Sequence, residues 1–346
     1  MIKTFAKILG WGLTAIALQL QAATLKEGHP DNYTVKKGDT LWGISSTFLD
    51  DPWQWPEIWY ANPQIANPHL IYPGDSLNLV YVDGKPRLML KRGEGNFDGG
   101  NIKLSPKVRA TPIDTAIPAI PLNYVKSFLV DHRVVDQGVL EKAPYVVAGA
   151  DQRIVLGNGD TGYVRGKLDQ SVMTYGVYRP GSAYIDPETK EFLGMEADYL
   201  ASAKVVSEEG DISTLNITRV SMDVHLKDRV LPSDEVKLDS VFFPKAPKQE
   251  VHGEIIHVFG GVENVSQYNV VVVNRGAREN IGVGDVLAIK RRGEVVRDAS
   301  TGELLKLPNE RSGLMIIFRT FDKVAYGLVL KASRPLAVRD EVTNPD

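Results

Sequence analysis

The chain has 346 residues, enough for two or three domains, and 43% of them are hydrophobic, as in ordinary soluble proteins. The formal net charge of -3 gives no electrostatic reason to expect DNA or an anionic membrane surface as a partner. Cysteine is absent, which excludes disulfides, thiolate metal ligands, cysteine nucleophiles and a lipidated N-terminal cysteine.

The N-terminal segment 1–22 has the pattern of a secretory signal peptide. Lys3 and Lys7 precede the largely apolar stretch Ile8–Leu20, and small residues follow from Ala22 onward. Such a stretch is too short to cross a bilayer as a helix, so a removed signal peptide over 1–22 is favoured over a retained anchor. No later stretch is apolar for long enough to span a membrane, so we expect a mature form without an integral membrane segment.

Residues 32–81 form a compact block whose pattern predicts strand, helix, helix and strand. A short strand around Tyr33 runs into a turn, after which Asp39 or Thr40 can cap a helix. The first helix has apolar residues at helical spacing: Leu41, Ile44 and Phe48. A second helix is predicted from near Pro56 to Asn62. The closing strand has alternating apolar residues: Leu77, Leu79 and Tyr81.

Residues 82–121 are predicted to be a linker, because apolar periodicity is weak and glycine and proline recur. Between Lys85 and Arg109 this stretch carries seven basic and two acidic residues. Two interpretations stay open: a solvated tether, or a basic arm that contacts an acidic partner.

The remainder of the chain is predicted to be rich in β-strands that are separated by turns. Runs typical of strands are Val177–Tyr178, Leu215–Ile217, Val270–Val273, Val286–Ile289 and Ile316–Phe318.

This β-rich half contains an internal repeat. One constant shift along the chain, which we call the repeat shift, places Asp186 on Asp298 and Glu191 on Glu303 without a gap. Further aligned pairs are Thr189 with Thr301, Leu193 with Leu305, Asp228 with Asp340, and Val230 with Val342. Upstream, Tyr163–Gly166 aligns with Val273–Gly276 once two residues are inserted. A shared fold retains such turn residues and strand apolars, so we predict two duplicated β units, 122–232 and 250–346.

The segments Tyr33–Ser45, Asn62–Ile65 and Leu70–Leu77 together resemble a LysM module, because both halves of its motif appear in the right order. The resemblance implies a βααβ fold that binds N-acetylglucosamine in peptidoglycan or chitin. Its groove lies between the loop before the first helix and the loop after the second. On this chain the resemblance maps the peptidoglycan-binding groove to Gly38, Asp39, Thr40, Leu41, Asn62, Pro63, Gln64, Ile65, His69, Leu70 and Ile71.

The residue types in this block suit a neutral sugar chain, which is held by backbone groups and apolar faces. Gly38 allows a close backbone approach, and the first turn of the helix has amides for an acetamido carbonyl. The block has two basic and five acidic residues, a charge of -3, which favours neutral glycan over anionic polymers. Leu41, Ile65 and Ile71 fit a core position equally well.

Two tryptophans, Trp53 and Trp55, lie where shorter LysM modules have a plain loop. They either stack on sugar or complete the core. The core is favoured, because a small domain needs every large side chain.

The whole layout resembles the type IV pilus secretin-associated protein family, whose C-terminal region is similar to the C-terminal domain of flagellar assembly protein T. The segments that carry the resemblance are the tryptophan insertion, Ile120–Leu122, Ala143–Gly149, Tyr163–Gly166, Tyr178–Gly181 and Asp186–Thr189. This implies a periplasmic, peptidoglycan-associated adaptor that holds an outer-membrane secretin, or another envelope ring protein, to the cell wall.

Enzyme classes find little support in the sequence, and no catalytic residue, metal site or cofactor is predicted. His252 and His257 are five residues apart around Glu254, in a segment that reads as a strand, and match no helical zinc motif. The expected fold class is α+β: a small βααβ module followed by a β-rich region with an internal duplication. The alternatives are a peptidoglycan-remodelling hydrolase and a structural protein of the flagellar basal body.

Overall fold

The computed structural model describes residues 23–59, 71–91, 118–125, 128, 132–169, 171–233, 242–259 and 264–345. The predicted signal peptide lies outside these residues. None of the helices in the described ranges is long and apolar enough to cross a membrane.

The N-terminal module is a three-stranded antiparallel sheet with two short helices. Its elements are β1 (Asn32–Thr34), α1 (Leu41–Phe48), α2 (Trp55–Ile58), β2 (Ser76–Val82) and β3 (Lys85–Lys91). The strands lie in the order β1-β2-β3. The core contains Phe48, Ile58 and Leu77 from the two helices and the central strand, each at most 1% exposed.

The linker predicted over 82–121 is wrong at both of its ends. All seven residues of β3 pair with β2, and Leu88 and Leu90 are buried in the core of the module. At the other end, Ala119 and Ile120 are buried as well. The linker prediction followed the glycine and proline content of the whole stretch and overlooked the hairpin turn Asp83-Gly84 that joins β2 to β3. Ala119 and Ile120 were missed because their apolar partners lie on distant elements. Residues 92–117 lie outside the described part of the chain.

A first β-barrel follows. Two elements precede its ring: β4 (Arg133–Val135) and α3 (Val139–Lys142). Its strands are β5 (Tyr145–Gly149), β6 (Val155–Leu156), β7 (Thr161–Arg165), β8 (Tyr175–Ile185), β9 (Phe192–Glu209), β10 (Ile212–Val220), β11 (Val224–His225) and β12 (Arg229–Pro232). Six of them pair around a closed ring, β5-β7-β10-β9-β8-β12, and β12 returns to β5.

A second barrel has the same connectivity. Its strands are β13 (His252–Val258), β14 (Asn264–Val265), β15 (Val270–Val273), β16 (Val286–Arg291), β17 (Val295–Arg297), β18 (Leu304–Lys306), β19 (Glu310–Thr320), β20 (Ala325–Ala332), β21 (Leu336–Ala337) and β22 (Glu341–Thr343). The ring order is β13-β15-β20-β19-β16-β22. Each strand of the first ring therefore has a counterpart with equivalent neighbours in the second, including the small pairs β6–β11 and β14–β21.

The repeat shift also aligns hydrogen bonds. The carboxylate of Asp186 accepts from the amides of Glu188 and Thr189, and that of Asp298 accepts from those of Ser300 and Thr301. At the other end of each unit, the Asp228 carboxylate accepts from the His225 amide at 2.6 Å, and its counterpart Asp340 accepts from the Ala337 amide at 2.9 Å. The predicted repeat positions thus occupy the same places in the two barrels.

The second barrel is apolar on both surfaces of its sheet. Val271 and Val273 pack into one buried cluster, while Val270 and Val272 belong to another, which we call the outer cluster. Alternation along a strand sends these two pairs to opposite faces. The outer cluster is completed by other parts of the chain: Trp42, Ile120, Val125, Tyr184, Leu193 and Phe242. The N-terminal module and the first barrel therefore both pack on the second barrel.

Candidate functional site

The predicted groove begins at the turn before α1. Thr40 is the N-cap of this helix, and its hydroxyl accepts from the Gly43 amide at 3.0 Å. The Asp39 carboxylate accepts from the Lys36 amide at 2.8 Å and from the Tyr33 hydroxyl at 3.0 Å. Burial, together with this bond to Asp39, raises the pKa of the Tyr33 phenol. The turn is therefore held by its own side chains.

Gly38 has the backbone conformation that the prediction required. Its φ is +95°, in the left-handed region that favours glycine, and the space where a side chain would project is open. A ligand can approach the backbone here without meeting a side chain.

Two predicted groove residues are core residues. Leu41 is 2% exposed and Ile71 is 0% exposed, and both pack in the core of the module. Six other predicted groove residues lie outside the described part of the chain: Asn62, Pro63, Gln64, Ile65, His69 and Leu70. The structure thus brings together Gly38, Asp39 and Thr40 at one edge, and the rest of the groove remains a prediction.

The amides at the start of α1 are already bonded within the chain. The Leu41 amide donates to the Pro118 carbonyl and the Trp42 amide to the Ala119 carbonyl, both at 3.0 Å. With the Gly43 amide bonded to Thr40, the first three amides of the helix have acceptors. This contact differs from the prediction, in which these amides are free for an acetamido group and residues 118–119 belong to the linker.

The two inserted tryptophans pack against other side chains of the protein. Trp55 is 2% exposed, meets Trp59 edge to face with the ring centroids 6.3 Å apart, and stacks on Phe243 at 6.3 Å. Trp53 packs against the outer cluster of the second barrel. The core interpretation is confirmed for Trp55. The insertion also joins the module to the second barrel, since Asp51 pairs with Arg311 at 2.9 Å.

A polar cluster that sequence analysis missed lies between the two barrels. His132 Nδ1 is 3.6 Å from Glu196 Oε1 and 3.7 Å from Asp198 Oδ1. These side chains are the one group in the described ranges whose ligand atoms could converge on a metal ion. Burial and the neighbouring Glu196 raise the pKa of Asp198. His132 comes from a stretch without a motif, so no sequence signal pointed to this cluster.

The histidines that were tested as a zinc motif have separate environments. Both lie in β13, as the predicted strand requires. His252 is exposed and pairs with Glu250 at 3.1 Å, whereas the His257 ring packs 5.3 Å from that of Phe259.

Comparison with known proteins matches a short N-terminal part of this chain to a family of domains. Residues 33–80 match the model of the LysM domain, which is a non-catalytic binding module. A protein described as uncharacterized protein YqbP, from Bacillus subtilis (strain 168), is 40% identical over 60 residues. The similarity covers 14% of this chain and 27% of that protein, so it concerns a module within two different chains. The LysM match indicates binding of peptidoglycan or a related carbohydrate, and it ends before β3.

Proposed function

We propose that this chain is a non-catalytic periplasmic adaptor that binds peptidoglycan through its LysM domain and holds an envelope machine to the cell wall. The machine we infer is a type IV pilus secretin. The observation that carries the proposal is the LysM match at residues 33–80, on a module whose described turn has an open glycine and a self-supporting cap.

The chemistry of the module supports a neutral glycan as the ligand. Gly38 leaves the backbone accessible, and the carboxylate of Asp39 accepts hydrogen bonds from the Lys36 amide and the Tyr33 hydroxyl within the turn. The acetylated amino sugar offers amide and hydroxyl groups to such a backbone edge, and each bond formed contributes roughly 1 kcal/mol.

The segment at residues 118–119 sets a condition on this binding. A sugar that used the amides of Leu41 and Trp42 would have to displace the carbonyls of Pro118 and Ala119. Each exchange replaces one hydrogen bond with another and so yields little net free energy. We therefore expect weak binding by one module, which attachment of several copies to a ring-shaped partner would strengthen through avidity.

The two barrels supply the partner-binding part of the proposal. The secretin is proposed from the sequence segments that resemble the pilus secretin-associated family, all of which lie in the first barrel or before it. We also propose that the barrels arose by duplication, because their strands have equivalent neighbours throughout both rings. The LysM domain packs on the second barrel, so wall binding and partner binding would be held in one rigid arrangement.

The proposal is tested by sedimentation of the purified full chain with isolated peptidoglycan sacculi and by titration with chito-oligosaccharides under NMR. We expect the amides of Gly38, Leu41 and Trp42 to shift with added sugar. The double variant Asn62→Ala with Gln64→Ala should lose sedimentation. Tyr81→Ala, which removes an exposed aromatic of β2, should keep it.

Sedimentation that is unchanged in the double variant would move the wall site away from the predicted groove. Release of soluble muropeptides from sacculi by the purified chain would establish the rival hydrolase function. Recovery of flagellar basal-body proteins with the full chain, in place of a secretin, would redirect the choice of machine.

A further inference from the structure

Each barrel extends a two-stranded arm, and the first arm is docked. The first arm comprises residues 183–195, the end of β8 and the start of β9, and the second comprises residues 295–307, from β17 to β18. In the first arm, Tyr184 and Leu193 are 2% and 3% exposed because they pack into the outer cluster of the second barrel.

The polar tip of the first arm is matched by the second barrel. Asp186 Oδ2 accepts from Asn274 Nδ2 at 2.8 Å. The Glu191 carboxylate accepts from both terminal nitrogens of the Arg278 guanidinium, at 2.7 and 2.9 Å, and pairs with Lys323 Nζ at 2.9 Å. Arg275 Nη1 also lies 3.6 Å from Asp186 Oδ2. An acidic turn beside an apolar pair thus meets an amide and three cations beside an apolar surface, with at least one cation at each of Asp186 and Glu191.

The second arm also has an acidic turn beside an apolar pair, but in the described residues no cationic and apolar surface covers it. Leu305, the counterpart of Leu193, is 44% exposed, whereas Leu304, which is 68% exposed, lies on the opposite face of the hairpin, where it pairs with Arg297. Leu305 pairs across the two strands with Val296, which is the counterpart of Tyr184. Within the described residues, the hydrogen bonds of the turn at Asp298 stay inside the arm.

We propose that the second arm is a docking surface for a partner protein that presents two cationic side chains beside an apolar depression. The arm would insert Val296 and Leu305 into the depression and place Asp298 and Glu303 against the cations. Strand alternation puts Arg297 and Lys306 on the opposite face, where they do not oppose this contact. The inference deepens the proposed adaptor function, on which it rests, by naming the surface that reaches the partner.

A second copy of this chain does not fit the arm. The receiving surface of its second barrel is filled by its own first arm. On its first barrel, the repeat shift puts Asp211 where Lys323 stands, and the upstream alignment puts the buried Val164 where Asn274 stands. Asp211 forms an ion pair with Arg165 at 3.3 Å, so this place lacks the excess positive charge that Lys323 and Arg278 provide on the second barrel. Charge complementarity therefore favours a different protein.

Photo-crosslinking of the full chain in envelope-intact cells tests the proposal. A benzophenone side chain replaces Leu305 in one variant and, as a matched control, Val206, which is 65% exposed on β9. We expect an adduct from position 305 alone, on a partner peptide that mass spectrometry places beside at least two Lys or Arg residues. Adding Glu303→Lys should reduce this adduct about tenfold, because it brings like charges together.

Position 305 would lose its assigned role if its adducts did not exceed those of position 206. Adducts to a second copy of the chain, or to lipid alone, would equally overturn the proposal. Circular dichroism of the Glu303→Lys variant checks that the exposed arm change leaves the barrels folded. Sedimentation of the Leu305 variant with sacculi is measured in parallel. Loss of sedimentation would count against the wall-binding function, and the crosslinking result would still decide whether the second arm reaches a partner.

Discussion

The two arms have the same sequence pattern at their turns, but one arm is buried and the other is exposed. In both, an aspartate accepts from the amides two and three residues later, and a threonine hydroxyl accepts from the amide of the glutamate. The first arm is buried against the second barrel, and the second arm projects with exposed leucines. The turn is therefore built by its own residues, whereas its use depends on the surface that it meets.

The buried first arm contributes to the stability of the fold, whereas the exposed second arm is available for binding. The first arm, with the LysM domain, covers the outer apolar surface of the second barrel. The outer side of the first barrel carries a smaller buried group, which includes Leu140 from α3 together with Tyr178 and Tyr199. Among the described residues, the second barrel therefore has the larger outer surface to cover, and the rest of the chain is assembled on it.

The largest expected contrast is between the two equivalent leucines. Leu193→Ala should lower the free energy of unfolding by about 2–5 kcal/mol, because it leaves a cavity in the outer cluster. Leu305→Ala should change it by about 0.5 kcal/mol or less, because that side chain is already in contact with solvent. Urea unfolding of the two purified variants measures both values. Equal losses would mean that the second arm is buried in solution as well.

A smaller contrast is expected for the two aspartates. Asp186→Ala removes the acceptor of the buried Asn274 amide as well as that of two turn amides, so we expect a loss of about 1–3 kcal/mol. Asp298→Ala should cost less, because its turn donors can bond to water. Thermal unfolding would show the order. A larger loss for Asp298→Ala would contradict the conclusion that the first arm is docked and the second is exposed.

The smallest effect is a pH dependence of the docked arm. The hydrogen bonds from Arg278 and Lys323 lower the pKa of Glu191 from the usual 4.5 to about 2. A carboxyl with a lowered pKa stabilises the fold above its unfolded value and loses this contribution as the pH falls through the folded value. The stability difference between the native chain and Glu191→Gln should thus be full above about pH 5 and fade towards pH 2.

Urea unfolding at a series of pH values measures this difference. The free energy of unfolding of Glu191→Gln should change less between pH 5 and pH 2 than that of the native chain. The variant with Arg278→Met and Lys323→Met should show the same weaker pH dependence, since it removes the same ion pairs. A profile of Glu191→Gln that parallels the native chain would contradict the assignment.

Much of the LysM domain and of the strand pattern was predictable from neighbouring residues. A cap at Asp39 or Thr40, α1 itself and the buried run Val270–Val273 follow from capping chemistry and periodicity, which act over a few positions, and the structure places the cap at Thr40. β3 was missed although the two-residue turn Asp83-Gly84, in which both residues have positive φ, marks its pairing with β2 locally. The prediction followed the glycine and proline content of the longer stretch 82–121 instead. The polar cluster at His132 was missed for a different reason, since its members are far apart in the chain.

The turns, the caps, the strand runs and the repeat that aligns Asp186 with Asp298 could be read from the amino-acid sequence, because each depends on hydrogen bonds and side-chain alternation between near neighbours. Two features required the folded chain: which copy of the repeated arm is buried, and the bonds of Pro118 and Ala119 to the start of α1. These outcomes depend on apolar surfaces and unpaired amides that meet from distant parts of the chain, where local pattern carries no information.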